Sequence, residues 1–480
     1  MKIIMIAPNF SKGVGFLNVD HFVLPRIGVG SISSVLLAKG YEVIIVDPLV
    51  ERLSFEDTVD YIVKSNPDVL GLSVVSMNYV PGEELARCVK KRNKGIKIIA
   101  GGPHFHINSN EFMGDNGGFD YVCAGEGDYV IDELIDYNFA TEKLSKIDGL
   151  IYKSNKQVCR NRLGVVEDLD KLPFPAYDIY PKPLKYYKPA INNYKRLPSI
   201  GIITSRGCPS QCTYCQGSIF NKSVRMNSVD YVIEHIELLT RKYRVRDILF
   251  WDDVFTLKKK RLYEICDLLI KKRINITWAC FIRANSIIDE GLLRKMKEAG
   301  CWLIMPGVES GSSEIIKLLR KGIDLSHVER VCKIADRLGI QVRPSFMLGN
   351  PGETRETLQQ TFDFALSLPV NHIGITYFTP LPGTPVWDDV DKHGDFGKGD
   401  PNSIQTTSKP SFIAKDLNYE DLHLKMNKLY SQFYLRPSLI LRNLKYFGDI
   451  DEFKKIIHSI PLLSKMMFNL FMMMFKNQHK

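Results

Sequence analysis

The chain has 480 residues, 45% of them apolar, and a formal net charge of +10 spread along its length. A chain of that size divides into about two or three domains, and its apolar share excludes disordered and fibrous classes. The densest basic run, "KKRNKGIK" at 90–97, closes a predicted helix, where cations suit the dipole and a solvated face explains them better than a nucleic-acid patch.

The opening "MKIIMIAPNF" carries one lysine and a short apolar run, as a first buried strand does, rather than an export signal; the expected compartment is the cytoplasm. Residues 1–145 then alternate apolar runs with helical patterns: "KIIMIAP", a helix from about Gly28 to Lys39, "EVIIVD", "VLGLSVVS", "IKIIAGG" and "DYVCAGEGD", each followed by a helix. Such alternation predicts an α/β domain, a Rossmann-like doubly wound parallel sheet with its ligand at the carboxyl ends of the strands. Residues 146–198 break the pattern with a hairpin-like "LIYKSNKQVCR" and the stretch "LPFPAYDIYPKPLKYYKPA". Prolines at 173, 175, 181, 183 and 189 forbid a regular element and predict a linker packed along a neighbouring domain.

Alternation returns over residues 199–400, with strand candidates "IGIITS", "DILFWDD", "ITWACFIR", "WLIMPGVES", "QVRPSFMLG" and "HIGITYFTP". Six strands are two fewer than a closed eight-stranded barrel holds, so a partial (β/α)6 barrel with a side cleft is expected. Residues 401–480 read as helical. The run at 461–475, within "PLLSKMMFNLFMMMFK", is too short to span a bilayer; a helix packed on the barrel is favoured over contact with a membrane surface or a greasy substrate.

Three of the ten cysteines stand together in "TSRGCPSQCTYCQG", where Cys208, Cys212 and Cys215 have the spacing C-x3-C-x2-C just after the first strand of the second domain. A structural zinc needs a fourth ligand, and no other cysteine or histidine lies nearby in sequence. A cubane iron–sulfur cluster held by three thiolates leaves one iron open to a small molecule. Cys88, Cys123, Cys159, Cys266, Cys280, Cys301 and Cys332 are isolated in apparent strands and helices and read as reduced structural residues.

The cysteine spacing, Tyr214 before the last cysteine, and the position after a first barrel strand resemble the radical S-adenosylmethionine enzymes. The resemblance implies a 4Fe-4S cluster whose open iron chelates S-adenosylmethionine and an electron that cleaves the sulfonium to a 5'-deoxyadenosyl radical. An external donor such as flavodoxin or ferredoxin is implied with it. Polar or glycine-rich residues close the other strand candidates: Asp252 and Asp253, Arg283, Glu309 and Ser310, and the "GNPGE" turn from Gly349. In family terms Glu309 and Arg283 are expected to meet the ribose and the charged methionine end, and the turn the adenine edge, with Tyr214, Asp253 and Ser310 beside them.

The first domain resembles the cobalamin-binding domain that precedes the radical domain in one large subgroup. Ser73 and Val75 match its S-x-V element, and Gly101 and Gly102, with Pro103 and His104 edging the corrin, match its G-G element. The D-x-H-x-x-G element is absent, since Pro8 and Phe10 stand where its aspartate and histidine would be, so cobalamin is expected without a protein imidazole on cobalt. The resemblance implies methylation of an unactivated carbon or phosphorus centre in a small-molecule or lipid-like substrate. Oxidative ring closure is its alternative; a non-catalytic cluster or cobalamin sensor is a further one. An RNA-modifying enzyme is disfavoured, because Cys88 and Cys123 stand alone and the tail is helical rather than a β-barrel.

Overall fold

The computed structural model describes residues 1–9, 23–106, 118–217, 223–284, 288–381, 383–395 and 410–439. Its first sheet comprises β1 (Lys2–Ile6), β2 (Glu42–Val46), β3 (Val69–Ser73), β4 (Lys97–Gly101), β5 (Tyr121–Cys123), β6 (Leu150–Ser154) and β7 (Gln157–Arg160), ordered β2-β1-β3-β4-β5-β6-β7. β1 to β5 pair in parallel. Ile3, Met5, Val43 and Ile99 enter one apolar layer and Ile4, Ile6, Leu70 and Ile98 the other, which is why these strands read as unbroken apolar runs. Helices Ile27–Ala38 and Val130–Asp136 cover the first layer, and Phe55–Ser65 and Tyr79–Arg92 the second. Chain order reverses between β1 and β3, and there a doubly wound sheet opens a crevice beyond its carboxyl ends.

The hairpin, expected at the head of the connecting segment, is instead the edge of this first sheet. β6 runs antiparallel to β5, with Tyr121 opposite Tyr152 and Cys123 opposite Leu150. Leu150 and Ile151 are fully buried, so the hairpin covers an edge that three-residue β5 would leave bare. The proline-rich stretch that follows does pack along its neighbours. Tyr180 donates to the Arg26 carbonyl at 2.8 Å, and the Tyr177 hydroxyl lies 2.9 Å from His235 Nε2 on the helix Val229–Arg241. Gly30 is required here, because a Cβ would strike the Tyr180 hydroxyl.

The second domain begins with β8 (Ser199–Ile202), followed by a short antiparallel ribbon of β9 (Ser205–Arg206) and β10 (Arg225–Met226). β11 (Asp247–Phe250), β12 (Thr277–Ile282), β13 (Cys301–Glu309), β14 (Gln341–Val342), β15 (Ser345–Leu348) and β16 (Gly374–Tyr377) complete it. The sheet is wholly parallel, ordered β16-β15-β13-β12-β11-β8 with β14 beside β13. Among the described residues β16 and β8 are not paired, so the sheet curls without closing. The fifth predicted strand is divided into β14 and β15 at Arg343–Pro344, where proline has no N–H for the ladder.

Outward-facing Ile248, Phe250, Trp278 and Cys280 join the helices in the main core. Leu249, Ala279, Leu303 and Met305 form a separate cluster, with Phe281 partly buried against it. The helix Tyr419–Leu435, opened by an Asn418–Asp421 capping box, packs on the helix Arg355–Ser367 and ties to it through an Arg355–Asp421 ion pair at 3.2 Å. The apolar run at 461–475 lies outside the described residues. Among those described, no helix is long and apolar enough to cross a membrane.

Candidate active site at the facing strand ends

The loop after β8 carries the three cysteines, with Cys212 buried and Cys208 and Cys215 half-buried. It turns tightly: the Cys215 N–H donates to the Cys212 carbonyl at 3.3 Å, and Gly207, just before Cys208, takes φ +94°, a conformation that favours glycine. The Thr213 N–H donates to the Leu319 carbonyl at 3.1 Å, which pins the loop to the turn beyond β13. Among the described residues no three His, Cys, Asp or Glu side chains converge on a position for a single metal ion. A cubane gives each thiolate its own iron, and three cysteines carried on one loop are a donor set that fits such a cluster. Three of the remaining cysteines, Cys123, Cys266 and Cys332, have thiols that burial pushes up to about 12, which marks them as inert.

Glu309, at the end of β13, is a non-glycine residue at φ +71° where the register against β15 shifts, so the strand end is forced to aim this carboxylate. Its Oε1 accepts from Lys321 Nζ at 2.6 Å, and the same ammonium donates to the Tyr214 hydroxyl at 3.1 Å. Burial, then the Glu309 carboxylate and the thiols of Cys212 and Cys215, hold the Tyr214 hydroxyl far above the usual phenol range, so it stays protonated. Tyr214 and Glu309 are thus brought together beside the cysteines, and Lys321 is the residue the sequence did not single out. It lies 106 to 113 positions beyond the cysteines in a loop between helices, with no local pattern to mark it. Arg283, at the end of β12, donates to Ser210 Oγ within the cysteine loop and to the carbonyls of Lys321 and Gly322. Those acceptors are neutral, and among the described residues Arg283 makes no ion pair, so its charge is available to an anionic group.

The neighbouring strand ends separate packing residues from exposed ones. Asp252 is buried and accepts from the Thr204 N–H at 2.6 Å, Thr204 Oγ1 at 2.7 Å and Ser205 Oγ at 2.6 Å, closing the end of β8. Asp253 is exposed, yet the protein around it desolvates its carboxyl enough to raise it above the usual range. Ser310 departs from expectation. It is fully buried, with its Oγ 2.9 Å from Thr361 Oγ1, and it serves to tie β13 to the helix Arg355–Ser367.

Gly349 takes φ +83° with Leu422 of the C-terminal helix against the side a Cβ would occupy. Its N–H donates to Glu353 Oε2 at 2.5 Å and that of Asn350 at 3.0 Å. Glu353 is fully buried, and burial pushes its carboxyl up to about 7 despite those two donors. Between the ordinary glutamate value of 4.5 and about 7, the unfolded chain loses a proton that the folded chain keeps. Stability from this group is therefore full at low pH and falls by up to about 3 kcal/mol as pH rises through that window. Glu353→Gln is expected to gain thermal stability over the parent as pH goes from 4.5 to 7.5; a difference in melting temperature that does not change with pH would refute this.

In the first domain, Ser73 pairs with Gly101 at the carboxyl ends of β3 and β4, and the Val74 N–H donates to the Gly101 carbonyl at 2.7 Å. Gly102 takes φ +125°, and a Cβ there would collide with the Val74 carbonyl oxygen. The loop that follows β3 and the first turn of the helix Tyr79–Arg92 expose Val75 (41%), Met77 (62%) and Val80 (51%), an apolar rim at the crevice that a flat macrocycle would cover. His104, after Pro103, turns its Nδ1 to Ser76 Oγ at 3.1 Å and stacks on Tyr79 at 4.2 Å. Burial lowers it to about 4, so it is neutral at ordinary pH and holds the loop in shape. Phe10 lies outside the described residues. The glycine ridge and apolar rim fit a flat corrin.

Comparison with known proteins agrees with both halves. The radical SAM superfamily matches residues 202–365, and the B12 binding domain matches residues 14–135. Over 449 residues the chain is 31% identical to an uncharacterised methyltransferase of Pyrococcus horikoshii, covering 92% of this chain and 95% of that one. Over 448 residues it is 25% identical to the anaerobic magnesium-protoporphyrin IX monomethyl ester cyclase of Rubrivivax gelatinosus, covering 92% and 78%. Its fold matches that of the cobalamin-dependent S-adenosylmethionine radical enzyme OxsB, solved with aqua-cobalamin and S-adenosylmethionine bound. That match has a TM-score of 0.72 at 17% identity and covers 99% of this chain and 75% of that one. The chain belongs to the cobalamin-dependent radical S-adenosylmethionine enzymes.

Proposed function

We propose that this enzyme methylates an unactivated carbon or phosphorus centre of a small-molecule or lipid-like substrate. When bound, the cluster with S-adenosylmethionine supplies one-electron cleavage of the sulfonium, and the corrin supplies a methyl group. The chain's own residues do the rest. Cys208, Cys212 and Cys215 supply the thiolates, Arg283 presents its guanidinium to the carboxylate of the methionine end, and Glu309, oriented by Lys321, accepts from ribose hydroxyls. The observation that carries the reading is that the carboxyl ends of the two sheets adjoin: Arg206, beside the cysteine loop, is bonded to Asp128, beyond β5, at 2.6 Å.

Trp251 and Phe281, with ring centroids 5.3 Å apart, suit an apolar substrate body at the half-barrel's mouth, and the exposed Asp253 carboxylate suits a donor group on it. Turnover needs an external one-electron donor of flavodoxin or ferredoxin type. The buried free cysteines suit the reducing cytoplasm, and for the 461–475 run a helix packed on the barrel is preferred to a peripheral membrane contact. Trideuteromethyl-labelled S-adenosylmethionine tests methyl transfer in an anaerobic assay with methylcobalamin and a reductant. S-adenosylhomocysteine and 5'-deoxyadenosine are expected to accumulate together; deoxyadenosine without S-adenosylhomocysteine would overturn methyl transfer.

A further inference from the structure

The ribbon of β9 and β10 closes the base of the cysteine loop, and its register places Arg206 directly opposite Arg225. Two like charges facing each other across a ribbon oppose its pairing. What neutralises them comes from the other domain. Arg206 donates from Nη1 to Asp128 Oδ2 at 2.6 Å and Glu126 Oε2 at 3.1 Å, and from Nη2 to Asp128 Oδ1 at 3.1 Å. Arg225 donates from Nη2 to Glu126 Oε1 at 2.5 Å, from Nη1 to Glu126 Oε2 at 2.9 Å, and to the Val166 carbonyl.

The first domain also holds the two carboxylates through bonds of its own. Ser31 Oγ donates to Asp128 Oδ1 at 3.0 Å, and the Val166 N–H donates to Glu126 Oε2 at 2.9 Å. Gly125 and Gly164 pass so close that a Cβ on Gly125 would lie 2.5 Å from the Gly164 carbonyl oxygen, and the Glu126 N–H donates to that carbonyl at 2.9 Å, which ties the "GEGD" turn down. Two guanidiniums and two carboxylates, nearly all buried, form a charge-balanced set in which each arginine is held bidentately. Removing one side of a buried set leaves the other side uncompensated, which costs far more than an exposed pair would.

We infer that Glu126 and Asp128 are positioning residues for the cluster, acting through Arg206 and Arg225: the cobalamin-binding domain holds shut the base of the loop that carries Cys208, Cys212 and Cys215. The inference rests on the cluster reading above. The full-length parent, the double variant Glu126→Gln with Asp128→Asn, and the charge swap Arg206→Asp with Asp128→Arg are each loaded with iron and sulfide under anaerobic conditions. An iron chelator is then added at a temperature below every variant's melting transition, and loss of the cluster's visible absorption is followed. The double variant is expected to lose its cluster roughly tenfold faster than the parent, and the swap to recover most of that difference. A double variant that keeps its cluster as long as the parent overturns the inference, as does a swap that fails to recover. A parent that takes up no iron overturns the cluster reading itself, a failure visible without any variant.

Discussion

Replacing Cys212 with alanine is expected to lower 5'-deoxyadenosine formation by roughly a hundredfold or more, since a cubane short of one thiolate is neither held nor reduced normally. Cys212 is the most enclosed of the three cysteines, with Tyr214 near it and Glu309 and Lys321 gathered around that tyrosine, so water is a poor substitute ligand there. The measurement is chromatographic: deoxyadenosine per reconstituted chain, with reductant and S-adenosylmethionine in excess. Cys266→Ala is the control, because Cys266 is buried in the helix Lys259–Lys271 with its thiol pushed up to about 12. Parent-like deoxyadenosine from the Cys212 variant would remove the thiol trio from the reaction.

Gly102→Ala carries the second large expectation. A side chain at φ +125° is strained in any surroundings, and here the added methyl meets the Val74 carbonyl oxygen, an atom fixed by the sheet rather than free to swing away. Strain and overpacking together are expected to cost about 3 kcal/mol, seen as an earlier melting transition of the first domain. The same shift would move Val75 and the apolar rim, so corrin absorption retained after desalting should fall with it. Gly28→Ala provides the contrast: beyond its own helix backbone and chain neighbours no atom of the described residues lies within 4 Å of a Cβ there, and in the helix Ile27–Ala38 the change should be neutral or stabilising by up to about 1 kcal/mol. A Gly102 variant as stable and as red as the parent would show that the ridge is not the corrin seat.

Much of the architecture was legible because local patterns record burial. Runs such as "KIIMI" and "EVIIV" are apolar throughout because both faces of a parallel sheet are covered, and both appear as β1 and β2 with no change of reading. Six strand candidates became the six-strand path of an open half-barrel, and the only revision, the division of the fifth, falls at a proline. The cysteine trio was legible for a different reason: its members lie within one loop, so their spacing is their geometry.

What tertiary structure alone decided are matters of which face and which partner. Sequence could not say that Asp252 is a packing residue while adjacent Asp253 reaches solvent, because that depends on how β11 meets β8. Nor could it turn Ser310 inward to Thr361, bring Lys321 between Glu309 and Tyr214, or give the hairpin to the first sheet. Arg206 and Arg225 meet carboxylates 78 to 99 positions away across a domain boundary, a separation at which no periodicity survives. Sequence by itself marked two α/β units and singled out the cysteine trio as the expected cluster ligands, since hydrophobic period and cysteine spacing are local quantities. Which charges compensate one another at the facing strand ends was settled only by the packing of one sheet against the other, because burial makes those pairs obligatory and folding makes them near.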